Sequence, residues 1–321
     1  MDHLTELTPL AGGYSGETFL GRVGADRVVV RVFGRALRSR LANAAGEATA
    51  ADSAEVAAAV HRLVAGLVPV PAVLEVRRVD PVAGVPALLV TEFVSGERGD
   101  LVYPRLDDGG RRALGQALGG VLVRLAGMAM LGSVPFMGDP FMDAQLRIGS
   151  FGPEGLGLPE WVEAHMPRLG DLADDEVGAL SSLAAAAQDV LDQTARTCLV
   201  HGDFNLKNLL IDPETLAVTG VVDWEYAHAG HPATDLGNLL RFTGPADAAF
   251  TDAVLDAFTA AFGGTRSQWR ARGEAADLFA LVDLAARSAD EPANDIAARA
   301  RVTLMRAVRR QLDPTRQTRL S

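Results

Sequence analysis

The amino-acid sequence predicts an α+β fold in two lobes: a strand-rich N-terminal lobe over 1–96 and a mainly helical C-terminal lobe over 97–321. Three observations predict it. Up to Phe93 the chain runs in short alternating or apolar stretches bounded by Gly and Pro. Beyond Ser95-Gly96 the apolar residues recur at helical spacing. A length of 321 residues suits two units around one site.

In chain order, strands are expected at Glu17–Val23, Arg27–Phe33, Val73–Val79 and Ala87–Phe93. A helix interrupts them, because Val56, Val60, Leu63, Val64 and Leu67 lie on one helical stripe. The prolines of Val68–Pro71 end it, since proline lacks the N–H that a helix needs. Leu114, Leu118, Val121, Leu122 and Leu125 mark a second helix, and Val177, Leu180, Leu183, Ala187, Val190 and Leu191 a third. Between those two, Gly132–Gly170 is rich in Gly, Pro, Phe and Met with little periodicity, which predicts a lid or a disordered insert. Short strands follow at Cys198–Val200, Leu209–Ile211 and Val218–Val222, then helices to the C-terminus.

Composition narrows the classes. With 48% hydrophobic and 22% charged residues, collagen-like, low-complexity and disulfide-scaffold chains are excluded. The net charge of -11 repels nucleic-acid phosphates and anionic membranes and favours cationic ligands, so neither nucleic acid nor membrane is expected as a partner. Cys198 stands alone, and MDHLTELTPL lacks the basic-then-apolar order of a signal peptide, so a cytoplasmic location is expected. The long apolar stretch Ala117–Val134 carries Arg124 in its middle, which fits a buried helix better than a membrane span. Lys207 is the only lysine among the 30 basic residues, so it stands out where an arginine does not.

The segment that carries chemistry is LVHGDFNLKNLLIDPETLAVTGVVDWE, 199–225. Asp203, Asn208 and Asp223 fall on loops at the ends of short apolar strands. Asn208 follows Asp203 by five residues, the spacing of the protein-kinase catalytic loop HRDxxxxN, and Asp223 stands where those enzymes carry the aspartate of DFG. Phosphoryl transfer explains the residue types: one carboxylate orients the acceptor hydroxyl and takes its proton, while an amide and a second carboxylate hold magnesium against the phosphates. Taken singly, each is equally a turn former or cap. His201 is expected to bond backbone and stiffen the loop.

HGD, the downstream Asn and the DWE resemble the aminoglycoside phosphotransferase family, the antibiotic and choline-kinase-like small-molecule kinases. AGGYSGETF resembles that family's phosphate-loop hairpin, EVAAAVHRLVAGLVPVPAVL its first helix and following strand, LLVTEFVSGE its interlobe hinge, and HPATDLGNLL the segment after the metal aspartate. The resemblance covers nearly the whole chain except Gly132–Gly170. It implies a protein-kinase-like fold, ATP or GTP with Mg²⁺, and a small hydroxyl-bearing acceptor. Carried over residue by residue, Asp203 is the catalytic base, and Asn208 and Asp223 are the magnesium ligands. Gly12, Gly13, Ser15 and Gly16 lie over the phosphates, or form a plain hairpin turn. Thr91, Glu92, Phe93 and Val94 offer hinge backbone to adenine, with Val29 and Leu210 on its faces or simply in the core. Asp235 braces the catalytic loop or caps a helix.

Arg31 departs from the pattern, because the family places lysine on this strand to hold the α- and β-phosphates. An arginine can bind phosphate bidentately, and Glu55 is its expected partner. Lys207 either carries its ammonium to the γ-phosphate or is a solvated loop residue. The reading is an O-phosphotransferase acting on a cationic antibiotic, with Asp139, Asp143, Glu160, Glu163 and Glu225 as candidate contacts. Two others stay open: a metabolic or macrolide-type small-molecule kinase whose acceptor packs on Phe136, Met137, Phe141, Met142 and Phe151, and a nucleotide-binding regulator with little turnover.

Overall fold

In strand β3 (Asp26–Phe33), buried Val28 and Val30 alternate with half-buried Val29 and Arg31, so the strand has two distinct faces. The computed structural model describes residues 4–10, 17–33, 54–78, 80, 82–131, 134–138, 146–148, 156–288 and 295–312. β3 is the centre of an antiparallel sheet ordered β1-β2-β3-β5-β4, formed with β1 (Leu4–Pro9), β2 (Glu17–Val23), β4 (Val73–Arg77) and β5 (Ala87–Glu92). Helix α1 (Ala54–Val64) lays Ala54, Ala57 and Ala58 against Phe33, Ala87 and Leu89. Arg31 is the register partner of Leu89, so Val29, Arg31 and Phe33 share the face that α1 covers. Val28, Val30 and Val90 form a separate cluster, packed by Leu4 and Phe19.

β1 is absent from the sequence expectation. Five of its six residues are exposed, so no buried face wrote an alternation into LTELTP.

The chain leaves this sheet through β6 (Glu97–Arg98), which pairs with β11 (Leu209–Ile211); β11 pairs in turn with β12 (Val218–Val221). After α2 (Gly99–Val102), α3 (Asp108–Gly127) starts at Asp107, whose side chain accepts the Gly110 N–H. Leu114, Leu118, Leu122 and Leu125 of α3 are fully buried, each burial contributing roughly 2–3 kcal/mol. They join the large core that also holds Phe250 and Phe258. This is the buried helix expected from Ala117 onward, and no helix among the described residues is long and apolar enough to cross a membrane.

The structure corrects the expectation of an irregular 132–170 segment. After β7 (Ala129–Met130), it contains β8 (Val134–Gly138), β9 (Leu146–Ile148) and α4 (Leu158–His165). β8 and β9 complete a sheet ordered β7-β10-β13-β8-β9 with β10 (Thr197–Val200) and β13 (His228–Gly230). Strands of three to five residues are too short for periodicity to register.

The remaining helices are α5 (Asp174–Asp192), α6 (Thr234–Leu240), α7 (Ala248–Phe262), α8 (Arg266–Arg287) and α9 (Asp295–Leu312). α6 and α8 meet backbone to backbone: a Cβ on Gly237 would lie 2.2 Å from the Gly273 carbonyl oxygen. Buried Arg241 and Asp277 lock the same crossing, with Nε donating to Oδ2 at 2.9 Å. Cys198 is buried in β10, where burial first and Asp235 second push its thiol up to about 12.

Candidate active site

β10 delivers the chain into His201, which is wholly buried between Phe204 and Trp224, with the His201 and Trp224 ring centres 4.5 Å apart. His201 Nδ1 accepts the Asp203 N–H at 3.2 Å, so its proton sits on Nε2, which donates to the Val222 carbonyl at 3.0 Å. Both ring nitrogens are thus spent on backbone, as the sequence suggested. Asp235 braces the turn from below, accepting the N–H groups of His201 at 2.7 Å and Gly202 at 2.9 Å. It sits in the first turn of α6, whose N-cap is Ala233, so bracing rather than capping is its role. Gly202 has φ 82°, and a Cβ there would lie 2.4 Å from the Tyr226 carbonyl oxygen. Only glycine satisfies both conditions.

The Asp203 carboxylate is held by near neighbours. Asn205 Nδ2 donates to Oδ1 at 2.7 Å, Asn208 Nδ2 donates to Oδ2 at 2.9 Å, and Lys207 Nζ lies 3.7 Å from Oδ2. Asn205 also caps the 3-10 turn Leu206–Asn208 by accepting the Lys207 N–H at 3.2 Å. The sequence reasoning missed Asn205, although an Asn two residues after Asp203 and three before the next Asn is a local capping signal. The carboxylate keeps 25% exposure, so an incoming hydroxyl has access.

The same loop positions Asp223. Val222 donates its N–H to the Asn208 carbonyl at 2.9 Å and offers its own carbonyl to His201, so the backbone is held on both sides of this residue. Asp223 then turns with φ 68°, a left-handed conformation that costs on the order of 1 kcal/mol for a non-glycine residue. Its Oδ1 accepts Arg31 Nη1 at 2.6 Å, and Glu225 Oε2 accepts Arg31 Nη2 at 2.6 Å. Burial works against the Arg31 charge, but Asp223 and Glu225 more than offset it, so its pKa is raised. Arg31 is therefore a site residue and not an exposed strand arginine.

The expectation for Glu55 is corrected. Glu55 sits at the start of α1 and pairs with Arg78 at 3.0 Å, while the carboxylates that hold Arg31 come from the far end of the sequence. Sequence spacing could not show a contact that spans 194 positions.

Val29 and Leu210 are half-buried among fully buried neighbours, Val28 and Val30 for one and Leu209 and Ile211 for the other. A Cβ on Gly220 would come 3.2 Å from Leu210 Cδ1 and 3.5 Å from Val94 Cγ1, so these two side chains lie close together over Gly220. Thr91 is buried and pairs in register with Val29. Within the expected hinge, the Glu92 N–H is taken by the Ala72 carbonyl at 2.9 Å and the Phe93 N–H by that of Arg27 at 3.2 Å. Neither N–H is open to a base, which narrows the hinge expectation to the other backbone groups. Gly12, Gly13, Ser15 and Gly16 lie outside the described residues, as do Asp139, Phe141, Met142, Asp143 and Phe151. Glu160 and Glu163 are exposed on α4.

A model of the APH phosphotransferase enzyme family matches residues 6–274. The chain belongs to this family. The family is one of phosphotransferase enzymes. Among solved structures, the fold is similar to an aminoglycoside phosphotransferase APH(4)-Ia mutant in complex with ADP and hygromycin B. The TM-score is 0.60 and the identity 20%, with 95% of this chain and 94% of that one covered. It is also similar to a putative aminoglycoside phosphotransferase from Ralstonia eutropha JMP134, with a TM-score of 0.62, 19% identity, and 98% and 94% covered. A third is the GDP complex of aminoglycoside 2'-phosphotransferase-IIIa, with a TM-score of 0.62, 15% identity, and 95% and 93% covered. These likenesses establish the kinase-like fold. Among curated proteins, the mouse acyl-CoA dehydrogenase family member 10 is 29% identical over 174 residues, 53% of this chain but 15% of that protein. The mouse family member 11 is 38% identical over 71 residues, 22% of this chain and 9% of that protein. The chain thus spans a small fraction of those relatives.

Proposed function

We propose that this chain transfers the γ-phosphate of ATP or GTP to a hydroxyl of a small cationic molecule, of the kind represented by amine-bearing antibiotics. The observation that carries the reading is the backbone of Val222, whose two hydrogen bonds tie the catalytic loop to the metal aspartate. It joins Asp203, held as an acceptor-facing carboxylate, to Asp223, held against a cation. In this reading Asp203 orients the acceptor hydroxyl and takes its proton, with Asn205 and Asn208 fixing the carboxylate. Lys207 and Arg31 supply positive charge toward the transferring phosphate. In this reading the N-terminal lobe, 1–96, and the C-terminal lobe, 97–321, meet at this site, with adenine between Val29 and the Leu210–Val94 pair.

Magnesium fits the residues present. Asn208 spends its amide nitrogen on Asp203, which leaves the amide oxygen, and the Asp223 carboxylate already neighbours a positive group. Both are hard oxygen donors of the type that magnesium prefers. Asn208 and Asp223 would hold the ion together with phosphate oxygens of the nucleotide. Bound there, the ion would neutralise the phosphates. Asp203, Asp223 and Glu225 outnumber Arg31 and Lys207, and this local excess of negative charge supports both a metal and a cationic acceptor. A cytoplasmic location accords with the acidic chain and its unpaired cysteine.

The test is a transfer screen with MgATP and MgGTP over aminoglycosides, peptide antibiotics, macrolides and amino alcohols, read by the mass of one added phosphoryl group. Phosphorylation confined to amine-bearing acceptors supports the reading. Transfer only to uncharged acceptors overturns its cationic part, and nucleotide binding without transfer to any acceptor overturns turnover.

A further inference from the structure

The two carboxylates on Arg31 differ in setting. The Glu225 side chain is 6% exposed and the Asp223 side chain 30%, while the guanidinium between them is 17% exposed. Glu225 is the enclosed partner and Asp223 the one open to a ligand. Glu55, the carboxylate that the family pattern assigns to this cation, is engaged with Arg78.

We propose that Glu225 is a positioning residue for the nucleotide: it holds Arg31 by the Nη2 edge, so that the Nη1 edge can pass from Asp223 to the phosphates. The proposal rests on the phosphotransferase reading of this site. A guanidinium presents several N–H donors in a rigid plane, so it can keep one acceptor while exchanging another. A lysine ammonium is a single point charge and would have to divide itself between them. The arrangement also accounts for arginine where the family carries lysine, because the anchoring carboxylate approaches from the loop after β12 rather than from α1. Without Glu225 the guanidinium would lose its enclosed anchor and lean more on Asp223, the group that metal and nucleotide need. Breaking an enclosed ion pair would also cost stability.

The experiment is a double-mutant cycle on the full chain, titrated calorimetrically with AMP-PNP, with and without Mg²⁺. Glu225→Gln is expected to weaken AMP-PNP binding in Mg²⁺ about tenfold, the scale of one hydrogen bond to a charged group. Arg31→Met is expected to weaken it at least as much. The double variant Arg31→Met/Glu225→Gln should bind no more weakly than Arg31→Met alone, because Glu225 acts only through Arg31. It also removes both members of a buried pair, so it should melt above Glu225→Gln and keep the cycle measurable if that single variant folds poorly. In steady state, Glu225→Gln should raise the KM for ATP. Additive losses, or a Glu225→Gln protein with parental affinity, overturn the proposal. A parent chain that binds no AMP-PNP overturns the phosphotransferase reading itself, so the two failures are distinguishable.

Discussion

Asp203 and Asp223 are two carboxylates of one site, built in opposite ways. The groups found on Asp203, namely Asn205, Lys207 and Asn208, lie within five residues of it. Asp223 is met by Arg31, 192 positions away on another sheet. A local carboxylate is set by the shape of its own loop and holds its geometry whenever that loop forms. A long-range one is set only when β3 and the loop after β12 are brought together, so it can also report whether they are. The Asp203 half of the site is thus preformed, and the Asp223–Arg31 half is assembled.

The largest expected effect tests the local half. Asp203→Asn removes the proton acceptor while keeping the shape of the loop, and turnover should fall by at least ~10²-fold with nucleotide affinity little changed. Full activity in the purified variant would end the assignment of Asp203 as base. Asp223→Ala tests the assembled half, and its signature differs: the dependence of nucleotide affinity on Mg²⁺ should flatten, because a charged metal ligand is lost. Calorimetry showing the parental gain on adding Mg²⁺ would remove Asp223 from the metal set. Lys207→Arg sharpens the boundary between the halves. If the ammonium beside Asp203 reaches the γ-phosphate, turnover should drop roughly tenfold with the fork geometry and further in Lys207→Ala, at unchanged melting temperature. Parental rates in both variants would make Lys207 a solvated loop residue.

The smallest effect lies in the brace beneath the catalytic loop. His231 Nδ1 accepts the Ala233 N–H at 3.1 Å just before α6, and burial pulls its pKa down to about 4. A histidine with a lowered folded pKa stabilises fully above its ordinary value of 6.5, and that contribution is lost as pH falls from 6.5 toward 4. His61, lowered by burial, acts in the same sense, whereas His165, raised mainly by its hydrogen bond to Asp283, opposes it. The melting temperature should therefore fall by a few degrees across that window, and His231→Asn, whose Oδ1 can take the same N–H, should flatten the fall. An identical slope in His231→Asn would place the acid sensitivity elsewhere.

What could be read from the sequence follows the same division. The strands β2 to β5 and the helices α1, α3 and α5 were legible because they pack against a core on one side, and burial writes a period of two or of 3.6 residues into the chain. The proximity of Asp203, Asn208 and Asp223 was legible because their spacing is short: all three sit on one path through His201 and Val222. β1, β8 and β9 were not, since an exposed edge strand and strands of three to five residues leave no such period. Asn205 was overlooked although its signal was local. By itself, then, the sequence determined the fold class, the phosphotransfer loop and the presence of an unusual arginine on β3. Only the tertiary structure decided what that arginine touches. Ion pairing acts through space and leaves no periodicity along the chain, so the choice of Asp223 and Glu225 over Glu55 exists only once the sheet and the loop have docked.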